Sequence, residues 1–301
     1  MKDAIALEAA ASRPATRLAD FVSLTKPRIT LMVLLTGAMG YFMGSSGAMS
    51  LTGLWHVMAG VALVAAGAST LNQVRERDAD GRMRRTASRA IPAGRVAPHH
   101  ALLFGVILGL TGCVYITLFL DPVTALLAVA TLASYVFVYT PLKRVTPLNT
   151  LVGAVPGALP PVGGWAAATG GQVGAEAWTL FAILFLWQVP HFLALAWMLK
   201  DDYAQGGFRM LPVVDPDGRS TGAHIAITAA ALVPVALLPT LLGMTGGLYF
   251  AASLLLTLGY AGLSLFLAIR PSERRAREVF LRSVLYLPLL MGAMLVDKLL
   301  S

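Results

Sequence analysis

The sequence predicts an all-α polytopic membrane protein with nine transmembrane helices, and three observations carry that reading. Of the 301 residues, 57% are hydrophobic and only 13% charged, and the mean hydropathy is +0.72. Soluble domains carry roughly 25% charged residues. Predominantly apolar runs recur along the chain, each near the roughly 20 residues that a helix needs to cross the hydrocarbon layer. Basic residues collect in alternate loops between those runs, the pattern that sets orientation in a bilayer.

The nine runs fall at 29–47, 53–73, 99–120, 122–141, 148–168, 177–199, 222–242, 247–269 and 279–299. Glycine and proline recur inside them. Lipid tolerates this, because neighbouring helices and side chains satisfy the freed backbone groups. Lys2, Arg13, Arg17, Lys26 and Arg28 precede the first run. Arg75, Arg77, Arg82, Arg84, Arg85, Arg89 and Arg95 follow the second, and Lys143 and Arg144 follow the fourth. Lys200, Arg209 and Arg219 follow the sixth; Arg270, Arg274, Arg275, Arg277 and Arg282 follow the eighth. The alternation predicts a cytoplasmic N-terminus and an outside C-terminus.

The organisation expected is one transmembrane domain over 1–301, with a cytoplasmic arm at 1–22 and long cytoplasmic loops at 74–98 and 200–221. Those loops lie four helices apart, which hints at a repeated four-helix unit with a ninth helix added. The stretch before Asp20 lacks the apolar core of a secretory signal, so a bacterial cytoplasmic membrane is the simplest home. The net charge of +8 is confined to short loops, which suits an anionic lipid surface and an anionic substrate and argues against nucleic acid. Cys113 is the only cysteine, which excludes an intrachain disulfide and a cysteine metal cluster.

The strongest candidate site closes the second run. Asn72, Glu76 and Asp80 follow at i, i+4 and i+8, which places them on one helical face, with Asp78 opposite and Gly81 positioned to end the helix. Three oxygen-bearing side chains at a membrane–water boundary suit Mg²⁺, which keeps waters and is shared with substrate phosphates. A solvated helix end laced with ion pairs would use the same charges. Asn72 weighs against that, because it begins the row inside the apolar segment, where a polar side chain is costly. Arg85 and Arg89 are candidate anion contacts, their forks matching phosphate or carboxylate oxygens; the alternative is a topology signal.

A second polar site follows the sixth run. Gln188 and His191 interrupt apolar sequence around Pro190 and lie near one face at i, i+3. His191 is either a hydrogen-bonded packing residue or a ligand or proton-transfer group. Lys200 and Asp202 would complete an anion-plus-metal site facing Asn72, Glu76 and Asp80, with Tyr203 and Arg209 in the same loop. Tyr139 and Lys143 form a third patch. Lys143 is a candidate phosphate contact or an ordinary positive-inside lysine, and Gly153, Gly157 and Ala158 suit close helix packing.

These motifs together resemble the protohaem IX farnesyltransferases of the UbiA-type intramembrane prenyltransferases. The resemblance is carried by Leu24-Thr25-Lys26-Pro27-Arg28, by Asn72 to Asp80 with Met83, Arg85-Thr86 and Arg89, and by Tyr139 to Arg144. It continues through Gly153 to Trp165, Trp187-Gln188-Val189-Pro190-His191-Phe192, and Asp202-Tyr203 through Pro212. It implies a helical bundle around a central cavity open to lipid, with Mg²⁺ held at Asn72, Glu76, Asp80 and Asp202. It also implies transfer of a farnesyl group from farnesyl diphosphate to a vinyl group of haem b, with a haem A synthase as a possible partner. His191 then becomes a candidate for the haem side, as iron ligand or proton acceptor. The chain departs from the wider superfamily at Lys200 and Gly207, where aspartates flank the Tyr-Ala pair in many members; this suits the haem-modifying branch. Ala90 stands where the family more often has arginine. Two other classes stay open: a prenyltransferase acting on a quinone precursor, and a non-enzymatic transporter of an anionic lipid.

Overall fold

The computed structural model describes residues 17–300, so Lys2, Arg13 and the rest of the arm up to residue 16 lie outside the described residues. The described chain is helical throughout. A short helix α1 (Arg17–Leu24) leads into α2 (Pro27–Gly44), α3 (Leu51–Asp80), α4 (Pro98–Phe119), α5 (Pro122–Leu142), α6 (Asn149–Ala168) and α7 (Ala175–Met198). Two short helices, α8 (Lys200–Gly206) and α9 (Leu211–Val214), precede α10 (Arg219–Leu241), α11 (Gly247–Ile269) and α12 (Glu273–Leu300).

Eight of these are long and apolar enough to cross a membrane. With α2, whose 18 residues rise about 27 Å, they match the nine expected runs. Large apolar side chains such as Leu102, Leu126, Leu255 and Leu281 point outward, as lipid contact requires. The chain is an integral membrane protein.

The helices close two rings that share the α6–α7 seam. Helix α2 packs on α3, α3 on α4, α4 on α5, α5 on α6, and α6 back on α2. The second ring runs through α7, α10, α11 and α12. Close approach of α2 and α6 depends on glycine: a Cβ at Gly40 would collide with the Pro161 carbonyl, and one at Gly164 with the Gly37 carbonyl. The end of α12 ties the rings together. Asp297 accepts from the N–H groups of Gly246 and Tyr249 at the start of α11, while Lys298 donates to the carbonyls of Phe42, Met43 and Ser45 at the end of α2.

Several expected boundaries move. Hydropathy falls after Gln73, but α3 runs on to Asp80 and carries the polar row with it. Gly81 does end that helix, in right-handed rather than left-handed backbone (φ −65°). The last turns of α5 widen into a π-helical segment, Ser134–Tyr139. Both the N–H and the hydroxyl of Thr140 bond to the Tyr135 carbonyl there, which closes the widened turn just before Pro141.

Candidate active site at the polar end of the first ring

The polar row on α3 is buried as its spacing predicts. Asn72, Glu76 and Asp80 are each at most 5% exposed, whereas the Asp78 side chain is 69% exposed and pairs only with its neighbour Arg77. Each member of the row meets a group from a different segment. Asn72 accepts from the Lys26 ammonium at 3.1 Å and donates to the Thr140 hydroxyl at 3.2 Å. Glu76 accepts from the Lys143 ammonium at 2.7 Å. Asp80 accepts from the Arg89 guanidinium at 2.7 Å.

The second polar loop closes over this cluster. One Asp202 oxygen accepts the Arg84 backbone N–H at 2.8 Å, and the other lies 4.0 Å from the Arg85 guanidinium. The Arg82 side chain donates to the Gly206 carbonyl, and Arg209 N–H donates to the Lys143 carbonyl at 2.7 Å. Tyr203 packs with Ala79, Met83, Phe208 and Met210 between the loops. The Lys143 ammonium sits over the Tyr139 ring, 4.6 Å from its centroid. Tyr139 in turn lies where a Gly153 Cβ would be, and the Gln188 amide lies where a Gly157 Cβ would be. Two of the glycines expected to serve packing thus seat two of the candidate site residues.

Burial, reinforced by the Arg89 guanidinium, lowers the Lys26 ammonium to about 7 although Glu76 opposes the shift. Burial alone would also lower Lys143, but the Glu76 carboxylate, with Tyr139 and Tyr135, holds it well above its ordinary value. Lys26 is the only described non-glycine residue with positive φ (47°), a strained backbone immediately before Pro27. That strain aims its side chain back across the site.

Other expected residues fall elsewhere. The Lys200 ammonium lies over the Trp197 ring at 5.0 Å rather than on the α3 row. Arg209 contributes its backbone, and its side chain is exposed. His191 belongs to the second ring: its Nδ1 lies 2.7 Å from the Ser283 hydroxyl, and its ring stacks between Trp187 and Phe280. Lys26 and Thr140, which contact Asn72 directly, were legible only as parts of motifs, one as a basic residue before the first run and one inside the Tyr139–Arg144 stretch.

Among the described residues no three His, Cys, Asp or Glu side chains gather to hold an ion alone. The donor set nevertheless fits Mg²⁺ shared with phosphate. Asp80 Oδ1 and Asp202 Oδ2 are buried without a hydrogen-bond partner, one on each polar loop's side of the site. Hard oxygen donors left unsatisfied beside several cations suit a metal–diphosphate pair, whose remaining ligands are water and phosphate oxygens.

Below the cluster, inside the first ring, lies an apolar, partly open cavity of about 130 Å³. Thr30, Ser69 and Tyr135 line its near end; Val57, Ile116, Leu120 and Gly163 line its far end. An apolar shaft whose near end, at Ser69, lies one helical turn from Asn72 and the cation–carboxylate cluster suits a molecule with a hydrocarbon tail and an anionic head. This geometry describes an integral membrane protein with a site suited to a lipid-tailed anion.

Comparison with known proteins narrows the class. The model of the UbiA prenyltransferase family matches residues 33–287, and the chain belongs to that family. Protoheme IX farnesyltransferase of Solibacter usitatus is 49% identical over 288 residues, covering 93% of this chain and 98% of that protein. The fold is shared with a digeranylgeranylglyceryl phosphate synthase structure (TM-score 0.81, 18% identity, 95% of this chain and 99% of that one). It is also shared with a UbiA homologue of Archaeoglobus fulgidus bound to GPP and Mg²⁺ (TM-score 0.67, 16% identity, 91% and 99% covered).

Proposed function

We propose that this prenyltransferase moves the farnesyl group of farnesyl diphosphate onto a vinyl carbon of haem b, with addition of water, to give haem O. The observation that carries the reading is an apolar cavity whose near end, at Ser69 and Tyr135, lies one helical turn below the Asn72–Glu76–Asp80 cluster. The near full-length similarity to a protein named protoheme IX farnesyltransferase supplies the substrate pair.

The farnesyl tail occupies the cavity and the diphosphate lies at the polar cluster. Asn72, Glu76, Asp80 and Asp202 would hold Mg²⁺, which when bound neutralises diphosphate charge and makes it a better leaving group. Lys143, Arg89 and Arg85 add fixed positive charge where the departing diphosphate becomes more anionic, and Lys26, on Asn72, adds to it when protonated. Tyr139 and Tyr203 pack beside these cations and fix their positions. As the allylic C–O bond breaks, its electron pair leaves with the diphosphate and an allylic cation forms. The terminal vinyl carbon of haem attacks that cation, and water adds to the adjacent carbon and loses a proton. The apolar walls keep water from the farnesyl cation before haem reaches it.

Haem b is taken on the α7 side, where Gln188 borders the cavity wall and His191 is the haem-side group. The alternation of basic loops supports a polar cluster at the cytoplasmic face of a bacterial inner membrane, with the N-terminus inside and the C-terminus outside. A haem A synthase, which would consume the product, is the partner this activity implies.

The test is turnover by purified protein in liposomes with haem b and farnesyl diphosphate, with Mg²⁺ or with EDTA. A haem product heavier by a farnesyl group plus water, lost with EDTA, is the expected result. Folded protein that makes no such product but prenylates a quinone precursor would move the acceptor to that class.

A further inference from the structure

The far end of the cavity contains an unfilled position. Along α6, Pro156, Leu159, Pro160 and Gly163 line the cavity at the i, i+3, i+4, i+7 spacing of one helical face. The neighbouring glycines are spoken for: Gly157 abuts the Gln188 amide and Gly164 abuts the Gly37 carbonyl. A Cβ at Gly163 would meet no atom within 4 Å. The space its side chain would fill is therefore part of the cavity.

Gly163 stands about 15 Å of helical rise beyond Gly153, where Tyr139 packs beneath Lys143. That distance is comparable with an extended three-isoprene chain. Beside Gly163 is Thr124, whose hydroxyl lies 3.4 Å from the Gly163 carbonyl, and Ile116 of α4 and Leu120 just after it line the same cavity. Ile116 itself is wedged onto Gly60, where a Cβ would collide with it, so that wall is held firmly.

We propose that Gly163, with Leu120 in the same cavity wall, sets the length of prenyl chain the protein accepts; this rests on the reading that the cavity holds the prenyl tail. The tail's last isoprene unit fills the space left by the absent side chain. A longer chain meets Leu120 and Ile116.

The experiment measures binding of geranyl, farnesyl and geranylgeranyl diphosphates to the detergent-purified full chain with Mg²⁺, a readout that needs no acceptor. Wild-type affinity should rise from geranyl to farnesyl and fall again with geranylgeranyl. Gly163→Leu, which also gains helix propensity, should weaken farnesyl diphosphate about tenfold and leave geranyl diphosphate within about twofold. Leu120→Ala should bring geranylgeranyl diphosphate up to the affinity of farnesyl diphosphate. A Gly163→Leu protein with wild-type melting that binds farnesyl diphosphate normally overturns the proposal. So does one that loses geranyl and farnesyl diphosphates equally. The expected binding pattern in a wild-type protein that transfers nothing to haem overturns the acceptor assignment and supports the length gauge. A wild-type protein that binds none of the three diphosphates overturns both.

Discussion

The first ring, α2 to α6, and the second, α7 with α10 to α12, are both built from apolar helices, yet the first encloses a cavity of about 130 Å³ and the second only a small one of about 20 Å³ where α7 and α12 meet α2. In the second ring, Ile183, Leu193, Leu232, Tyr249, Tyr286 and Leu290 meet in a continuous buried core. In the first, the inward positions include Ala65, Ala68, Ser69, Ala128, Gly157 and Gly163. Apolar character does not separate the two, because lipid tails are as apolar as leucine. Side-chain volume does. Small residues that do not bring backbones into contact leave a shaft, and large ones interlock.

The rings also differ in what they do with polarity. In the second ring several hydroxyls bond to main-chain carbonyls, Thr257 to Ser253 and Tyr249 to Ala236, while the buried Tyr260 and Ser264 hydroxyls have no partner. The first ring's polar end instead buries the Glu76–Lys143 and Asp80–Arg89 ion pairs. Buried pairs return little net stability, because desolvation offsets their attraction. Their cost is intelligible if they await a diphosphate and its metal.

That contrast breaks first at the α3 row. Glu76→Ala and Asp80→Ala should each lower kcat/KM by about 10²-fold or more in protein that still folds, since each removes a group acting on the leaving diphosphate; the melting temperature should fall, because a buried cation loses its partner. Near-wild-type turnover by either variant would detach the row from catalysis. The converse holds in the second ring. Leu232→Ala, at a position with no exposure, should cost about 2–5 kcal/mol of stability, and Val61→Ala, on the cavity wall, about 1 kcal/mol or less. Equal shifts in thermal midpoint would mean that the cavity wall is packed as tightly as the core.

His191 is the place where the second ring would enter the chemistry. His191→Ala should raise KM for haem b about tenfold while KM for farnesyl diphosphate holds, as loss of one positioned acceptor contact predicts. Its Ser283 bond and its two flanking rings would serve packing equally well. An unchanged KM for haem b alongside a lowered melting temperature would return His191 to the core.

The row itself was legible in the sequence because helical spacing and burial cost act locally: Asn72 interrupts an apolar run, and Glu76 and Asp80 follow on its face. The spans were legible for the same reason. The partners were not. Lys143 lies 67 residues from Glu76, and Lys26 lies 46 from Asn72. A lysine at a membrane boundary reads as a topology signal until the fold shows what it touches. The cavity was equally hidden, because an alanine facing a void and an alanine facing lipid are written the same way. The extension of α3 to Asp80 escaped hydropathy because the turns that carry the site are its most polar ones.

Arg209 shows how a correct position can carry a different kind of role. The sequence offers it as a substrate cation, but the fold uses its main chain. Its N–H holds the Lys143 carbonyl, and its own carbonyl accepts from the fully buried Asn149 amide at 3.0 Å. Arg209→Ala preserves both bonds, so it should raise KM for farnesyl diphosphate by only about twofold, the scale of an exposed charge screened by salt. Asn149→Ala removes the clamp beneath Lys143 and should have the larger effect on the same KM, because a buried carbonyl loses its donor and the ammonium loses its fixed position. If the order were reversed, with Arg209→Ala the more damaging, the guanidinium would have to swing onto the diphosphate when substrate binds, and the second polar loop would be a moving part rather than a fixed cover.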